Sequence, residues 1–377
     1  MITPTTYISA LLLLILSFLC LGSWPATFKV AGPRWRFELF SIDFAIGAAL
    51  LSIIAAFTLG SLGSDLAFTD RMLVAGHAAQ VFVIAAGFIF NLGNMLLLAA
   101  ASILGIAGAF PLSIGVALVV SSFFNFHANN LLFLVSGIVL MLVAVLLDGA
   151  ACRLRDRPAA KAHSVVKHAP ATPADHASAT HAAGQATASK AAVHSSGKVA
   201  KSSPSKQKSR RTSKGLLLGV LSGVALGLFY PVAARGMAGE FGVGPYAGML
   251  LFSIGVFMST IMFNFYFLNI AIEGEPLSFG AYFKGNAPQH FVGFGGGALW
   301  AGGMLAASLA ISAPEQAGLN RALAFILPIA SVLLVVLWGS IRWKEFAAPS
   351  SNGQLSLGLS AVFFACSLIL LGIGMVR

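Results

Sequence analysis

Charged residues are scarce in this chain, and their scarcity excludes a soluble globular protein. Asp, Glu, Lys and Arg together make up 9% of the 377 residues, whereas hydrophobic residues make up 58%. A soluble domain carries about 25% charged residues, because it needs polar groups to cover its surface. The solvent of this chain is therefore expected to be lipid.

Reactive and metal-binding groups are also few, which argues against an enzyme. The cysteines lie in apolar runs or at the end of one, without metal-ligand spacing, and are predicted to be free thiols: Cys20, Cys152 and Cys366. No Ser-His-Asp set, carboxylate pair or metal cluster falls where one pocket could collect it. A phosphate-binding GxxxxGK[ST] motif is missing, since Gly197-Lys198 is followed by Val199. The sequence predicts no catalysis, no cofactor and no bound metal.

Long apolar runs dominate what is present. A helix needs about 20 apolar residues to cross a bilayer. The predicted spans are residues 7–29, 37–59, 80–104, 106–126, 131–151, 215–237, 246–272, 291–311, 317–338 and 355–376. The first run lacks a basic start and a small-residue cleavage site, so it is taken as a mature span and not a signal peptide. The sequence predicts an all-α membrane protein with ten transmembrane helices.

A polar linker, residues 153–213, separates five of these spans from the other five. It consists mainly of Ala, Ser, His, Lys and Pro, with almost no large apolar residue after Val166. Such a segment cannot bury enough apolar surface to offset its ordering entropy, so it is predicted to be disordered. The chain is thus divided into residues 1–152, the linker and residues 214–377. Because most Lys and Arg residues lie in or beside the linker, we expect a cytoplasmic linker and external termini.

The two halves share a sequence pattern. Residues 16–29 and 221–235 both read Leu-Ser, then Leu-Gly, then an aromatic residue followed by Pro. The third span of each half is rich in Gly, and the fourth contains Pro. Because five is an odd number of spans, two such copies in one chain must have opposite orientations. The sequence therefore predicts a 5+5 inverted-topology repeat, an architecture typical of transporters.

Prolines at matching places in the two halves are the predicted helix-breaking or gating residues. They are Pro25 and Pro231 in the first helix of each half, and Pro111 and Pro328 in the fourth. Backbone groups freed by a proline at membrane depth are tolerated where they face protein or a water-filled cavity. We therefore expect these helices to border a central cavity.

Four motifs carry a resemblance to a known family. They are LGSWPA at 21–26, NLGNMLLLA at 91–99, AFPLSIGVALVV at 109–120, and WGxxxxKEF at 338–346. In this order they resemble the plant ureide permeases and their bacterial relatives. Those belong to the drug/metabolite transporter superfamily, beside the glucose and rhamnose uptake proteins. The resemblance implies ten helices in a 5+5 inverted repeat and proton-linked movement of a small polar metabolite, here across a bacterial inner membrane.

Ionisable side chains inside a span are costly and so are candidates for function. Asp43 lies six residues into the second span among apolar neighbours, which suits a proton carrier. The alternative is an interfacial carboxylate that caps the helix or pairs with Arg34 or Arg36. Asp148, at the end of the fifth span, is predicted to form an interfacial ion pair. Glu345 is predicted to be a positioning residue.

Amides and aromatic rings are the predicted substrate-binding groups. The set is Trp24, Asn91, Asn94, Tyr230, Asn264 and Trp300. Asn91 and Asn94 are three residues apart and share a helix face; each amide offers two donors and an acceptor to a ligand, or could bond a neighbouring helix. Of Asn264 and Asn269, one at most is expected to face a cavity. Trp24 and Tyr230 could instead anchor helices at the membrane interface. His77 and His290 receive no role.

These features predict a proton-coupled secondary transporter of a small uncharged polar metabolite, of ureide or nucleobase type. The alternatives are a monosaccharide uptake protein, an exporter of amphipathic compounds, and a membrane scaffold that presents the basic linker to a partner. The predicted partners are the small-molecule substrate, H+ and the lipid bilayer. Nucleic acid is not expected as a partner, and a homodimer is left open.

Overall fold

The computed structural model describes residues 1–63, 66–124, 130–156, 204–347 and 351–375, so that most of the predicted linker lies outside the described residues. The described residues form α-helices and no β-strand. The helices are α1 (Tyr7–Ala31), α2 (Phe37–Phe57), α3 (Phe68–Val74), α4 (His77–Leu104), α5 (Ile106–Phe124), α6 (Leu131–Arg155), α7 (Pro204–Met237), α8 (Pro245–Asn269), α9 (Ala287–Ile311), α10 (Arg321–Leu337) and α11 (Ser351–Met375).

Ten helices of the described chain are long and apolar enough to cross a membrane, namely all except the short α3. The prediction of an all-α membrane protein with ten spans is confirmed. Four short elements were not predicted: α3, two 3-10 helices at Phe279–Lys284 and Glu315–Ala317, and a π-helix at Trp338–Arg342 that continues α10. Gly105 separates α4 from α5 with a φ of 84°, which glycine adopts without strain.

Both ends of the predicted linker are helical. Helix α6 continues to Arg155 and α7 begins at Pro204, about three turns before the apolar run that predicted it. The added turns are tied together by polar contacts, because the Thr212 hydroxyl donates to Asp156 and Lys208 Nζ lies 3.9 Å from Asp156 Oδ1. Burial alone would raise the pKa of Asp156. Hydrogen bonds from Arg155 and Thr212 and the charges of Arg155 and Lys208 outweigh that effect and lower the pKa.

The helices define two faces of the molecule. The terminal face is where α1 begins and α11 ends, and the linker face is where α6 ends and α7 begins. At the terminal face the backbone N–H of Ile2 donates to Leu59 O, and the Tyr246 hydroxyl donates to Ile2 O at 2.8 Å. These bonds fasten the N-terminal residues to the end of α2 and the start of α8.

The first five spans are interleaved with the last five. Helix α4 packs on α7 and α8, α1 packs on α9 and α10, α2 packs on α8 and α9, α5 packs on α7, and α6 packs on α11. Each of these contacts joins a helix from before the linker to one from after it. The two halves therefore share one core and cannot be pulled apart as separate domains.

Glycines bring the helices together at two crossings without intervening side chains. At the crossing of α2 and α9, a Cβ on Gly47 would overlap the carbonyl oxygen of Phe294, and one on Gly297 would overlap that of Phe44. The crossing of α4 and α8 has the same construction, with Gly87 against the Phe252 carbonyl and Gly255 against that of Ile84. Close backbone approach of this kind is a main source of helix association in lipid.

The helices continue through the prolines that were predicted to break them. Pro25 lies inside α1, Pro111 inside α5, Pro231 inside α7 and Pro328 inside α10. A proline removes one backbone hydrogen bond, and membrane helices tolerate that loss when neighbouring groups compensate. None of these prolines ends a helix, and their gating role stays a prediction.

Replacing Gly297 by Ala tests whether the backbone contact at the α2–α9 crossing holds the fold. The new methyl group has no space, because the Phe44 carbonyl is fixed within its own helix. We expect Gly297→Ala to lower the free energy of unfolding by roughly 1–3 kcal/mol, measured by SDS unfolding followed by circular dichroism.

The matched control is Gly295→Ala on the same helix, where no atom lies within 4 Å of the added Cβ. It should leave stability unchanged or raise it by up to about 1 kcal/mol through helix propensity. Equal destabilisation by both substitutions would contradict the packing role of Gly297.

Candidate functional site

A cavity of about 850 Å³ lies between α1, α4, α5, α7, α9 and α10. Its volume is within the range of roughly 300–1,000 Å³ that small-molecule sites occupy. Glu315 and Arg321, both exposed at the terminal face, form part of its mouth. The deeper lining includes Leu21, Trp24, Phe90, Asn94, Phe110, Phe229, Trp300, Met304 and Phe325. The cavity therefore opens towards the terminal face and ends inside the membrane.

Aromatic rings form the floor of the cavity. Phe90 and Trp300 stack with centroids 4.6 Å apart and an interplanar angle of 22°. Phe44 packs on Trp300 at 5.4 Å, Phe252 packs on Phe90 at 5.4 Å, and Trp24 packs on Phe44 at 5.1 Å. Such ring contacts add to the energy of burial. On the linker side the cavity ends inside the molecule, where its lining includes Phe110 of α5 and Val335 of α10.

Asn94 supplies an uncommitted amide to the cavity. Its side chain is 1% exposed, and its Nδ2 has no hydrogen-bond partner among the described residues. A buried donor without a partner is unusual and calls for an explanation. Because Asn94 lines the cavity, this N–H group is available to an acceptor on a bound ligand.

Asn91 and Asn264 do not belong to the cavity lining. Asn91 Nδ2 donates to Ser259 Oγ at 2.9 Å and to Thr260 Oγ1 at 3.0 Å, so it bonds α4 to α8. Asn264 is fully buried in α8, and its amide atoms have no partner among the described residues. Of the predicted substrate-binding set, the cavity brings together Trp24, Asn94, Tyr230 and Trp300, with the predicted gating residue Pro328 beside them.

Trp24 and Tyr230 have different surroundings although their sequence contexts match. The Trp24 ring is 5% exposed and packs on Phe44 and Phe110. Tyr230 is 49% exposed at the open part of the cavity. The Trp-Pro pair thus lies in a packed region, and the Tyr-Pro pair lies in an open one.

Asp43 is fully buried near the linker-face end of α2, where it accepts two hydrogen bonds and lies within hydrogen-bond distance of a histidine. Trp35 Nε1 donates to Oδ2 at 2.9 Å, and the Tyr282 hydroxyl donates to Oδ1 at 2.6 Å. His290 Nδ1 lies 2.9 Å from Oδ1. The alternative pairing with Arg36 is not found, because Arg36 bonds Glu38 instead.

Sequence reasoning missed the partners of Asp43. Trp35, Tyr282 and His290 lie at loop edges, and Tyr282 and His290 are more than 200 residues away along the chain. Burial, together with the hydrogen bond and the charge of Asp43, raises the pKa of the Tyr282 phenol far above its ordinary value. Tyr282 therefore remains a donor to the carboxylate. Tyr282 lies in a 3-10 helix within a polar loop, and no sequence pattern there indicates that it bonds Asp43.

Two further carboxylates lie towards the linker face. Glu345 bonds Lys29 Nζ at 2.6 Å and accepts from the backbone N–H groups of Ile106 at 3.1 Å and Ala107 at 2.8 Å. It thus joins α1 to the first turn of α5, where a negative charge is favoured. Asp148 is fully buried in α6, and neither carboxylate oxygen has a hydrogen-bond partner among the described residues. The prediction that Asp148 forms an interfacial ion pair is therefore wrong.

The fold and the cavity are those of a multi-pass membrane transporter, and the similar proteins agree with this class. The chain is 25% identical to ureide permease 4 of Arabidopsis thaliana over 95% of both chains. It is 24% identical to ureide permease 2 of the same plant over 92% of both, and 24% identical to ureide permease 1 over 90% of both. No protein-family model matches the chain. The similarity covers the spans on both sides of the linker.

Alanine substitutions separate the roles of Asn91 and Asn94. Asn91→Ala removes hydrogen bonds between α4 and α8, so it should lower the free energy of unfolding by roughly 0.5–2 kcal/mol. Asn94→Ala should leave stability within about 0.5 kcal/mol, because no described partner loses a bond. Unfolding in SDS measures both. A larger loss for Asn94→Ala than for Asn91→Ala would contradict this assignment.

Proposed function

We propose that this chain is a secondary active transporter of a small, uncharged polar metabolite of the ureide type. The observation that carries the proposal is the cavity, whose lining among the described residues includes exposed residues of the terminal face and no residue of the linker-face loops. The similarity to plant proteins named ureide permeases, over nearly the whole chain, supports the substrate class.

An inverted repeat would supply the two states that such a transporter needs, and the helix contacts support one. Suppose that the helices of the two halves correspond in chain order, so that α1 matches α7, α2 matches α8, α4 matches α9, α5 matches α10 and α6 matches α11. Each main contact between two helices then has a counterpart between the two matching helices. The pair α1–α9 corresponds to α7–α4, α2–α9 to α8–α4, and α1–α10 to α7–α5. The contacts α2–α8 and α6–α11 correspond to themselves, as contacts across a two-fold axis would.

The glycine crossings support the same correspondence at the level of residues. At both crossings each helix contributes a glycine and, three residues earlier, the carbonyl group that the partner glycine meets. Gly47 and Phe44 of α2 thus match Gly255 and Phe252 of α8. The α6–α11 contact has the same three-residue spacing with different atoms, because a Cβ on Gly137 would meet the side chain of Leu371 and one on Gly374 would meet the backbone N of Leu134.

The floor of the cavity would lie on the two-fold axis. Phe90 follows Gly87 by three residues and Trp300 follows Gly297 by three residues, so the two stacked rings are equivalent under the repeat. Transporter folds of this kind place their substrate near the repeat interface at the bilayer midplane. A flat heterocycle could stack on these rings while Asn94 donates to one of its carbonyl groups.

Exchange of the two halves' conformations would move the opening to the other face. In the present state Trp24 is packed and the equivalent Tyr230 is open to the cavity. In the opposite state Tyr230 would pack and Trp24 would become accessible. Glu345 would have to release Lys29 or the start of α5, since it ties these parts together at the closed face.

The proposal also includes the orientation of the protein in the membrane and the ion that drives transport. The Lys and Arg distribution favours a cytoplasmic linker face, which would make the present state outward-open. Protons are the proposed driving ion, and Asp43 is the proposed proton-binding group, because a carboxylate inside a span is costly unless it serves such a purpose. The mostly apolar lining, with Asn94 its one amide among the described residues, favours an exporter of amphipathic compounds as the second candidate.

An uptake assay in proteoliposomes with an imposed pH gradient tests this function. We expect labelled allantoin or uracil to accumulate, and each to compete with the other more strongly than glucose or an amphipathic cation does. Asn94→Ala should raise the half-saturation concentration about tenfold, the effect of one lost hydrogen bond.

Asn269→Ala is the control, because that amide is exposed at the end of α8 and bonds its own helix. Transport of the amphipathic cation alone would favour the second candidate. An unaltered half-saturation concentration in Asn94→Ala would remove Asn94 from the substrate site.

Cysteine labelling tests the outward-open state. In a chain without its native cysteines, Tyr230→Cys should react with a membrane-impermeant maleimide in intact cells. Trp24→Cys should react at least about tenfold more slowly, since its exposure requires a minor state. Labelling in SDS verifies that both thiols are present. Fast labelling of Trp24→Cys and slow labelling of Tyr230→Cys would reverse the assigned state.

A further inference from the structure

Asp43 and His290 form a polar centre that is separate from the cavity. His290 precedes Trp300 on α9 by ten residues, which is about 15 Å of helix. The centre is nevertheless linked to the cavity floor, because Phe44, the residue after Asp43, packs on both Trp24 and Trp300. A change in how α2 packs on α9 would therefore reach the substrate site.

Three polar side chains surround the carboxylate of Asp43. His290 and Tyr282 meet Oδ1, and Trp35 meets Oδ2. The imidazole packs against the indole of Trp35 at 4.8 Å and against the phenol of Tyr282 at 4.7 Å. Gly293 leaves α9 without a side chain opposite Asp43, so the two helices are in direct contact there. The distance between Asp43 and His290 therefore depends on the packing of α2 on α9.

The imidazole gives this centre access to the linker face. The His290 side chain is 21% exposed, whereas that of Asp43 is fully buried. No hydrogen-bond partner of Nε2 is found among the described residues, while Nδ1 meets the carboxylate. A histidine in this position can take a proton from water at the linker face and share it with Asp43.

The centre breaks the symmetry of the two glycine crossings. Asp43 lies four residues before Gly47, and the residue four before the matching Gly255 is Leu251. His290 lies seven residues before Gly297, and the residue seven before the matching Gly87 is Gln80. One crossing thus carries an ionisable pair at the linker face, and its counterpart at the terminal face carries none. The proton concentration at one face can therefore bias two otherwise similar states.

We propose that Asp43 and His290 together bind one proton, with Tyr282 and Trp35 as positioning residues, and exchange it with the linker face. The proton lies between the two side chains while α2 and α9 are packed, and it is released when their linker-face ends separate. This inference rests on the transport function proposed above. It adds His290 as the group through which the proton enters and leaves at the linker face. Exchange at one face biases the balance between the two states and does not carry the proton across the membrane, so the pair makes that balance depend on pH.

The charges around the pair set the sign of its effect. From α2, Glu38 is paired with Arg36, which also donates to the carbonyl of Glu275. From the 3-10 helix, which also contains Lys284, the titratable group that bonds Asp43 is Tyr282, and from α9 it is His290. Without the proton the pair has a net negative charge away from water, which is costly at membrane depth. Because the packed state holds the proton more tightly, low pH at the linker face should favour it.

A fluorescence titration tests proton binding without any substrate. A protonated imidazole quenches an adjacent indole, and Trp35 adjoins His290. The purified protein should show a pH-dependent fluorescence component, which Trp35→Phe and His290→Asn both remove. His77→Asn, at an exposed histidine at the start of α4, should retain it. Persistence of the component in His290→Asn would overturn the proposal.

A second measurement follows the balance between the two states. In vesicles with independently set pH on each side, labelling of Tyr230→Cys from the terminal face should slow about tenfold as linker-face pH rises from about 5.5 to 8. Adding His290→Asn should reduce that change to less than about twofold, and adding His77→Asn should preserve it. A full pH response with His290→Asn would contradict the pair's role. Intact pH-dependent labelling in a protein that transports no ureide would overturn the substrate proposal alone.

Discussion

Direct backbone contact at the glycine crossings is the constraint on which the rest of the structure depends. Lipid is as apolar as the helices, so burial of apolar side chains supplies little force to hold helices together. Close contact between backbones can supply it, and it requires positions such as Gly47 and Gly297 that have no side chain. Because both crossings are formed between the halves, the contacts that stabilise the fold also surround the cavity.

These crossings also explain the aromatic floor. One turn beyond Gly87 and Gly297 lie Phe90 of α4 and Trp300 of α9, whose rings stack in the space between the two crossings. The carbonyl-bearing residues Phe44 and Phe252 add a ring on each side. The rings that line the cavity thus pack directly beside the crossings. A small shift of α2 on α9 would move Phe44 against Trp300 and so change the cavity lining.

Hydropathy and glycine patterns predict much of the fold, because the length and composition of a span are local properties. The boundaries of α2, α4 and α9 lie within a few residues of the predicted runs. The polar extension of α7 was missed, since Thr212 and Lys208 are stabilised by contact with Asp156 at the end of α6. Contacts between distant segments leave no periodic signal in one sequence.

For the candidate site, too, the sequence predicts the types of residue but not their contacts with distant segments. Residue type alone predicts that amides and aromatic rings border the cavity, and Trp24, Asn94 and Trp300 do line it. Which amide remains free depends on the partner helix, because Ser259 and Thr260 of α8 occupy Asn91 and leave Asn94 unbonded. Whether an amide in a membrane helix is free to meet a ligand thus depends on the residues of the neighbouring helices, and those neighbours are a property of the assembled fold.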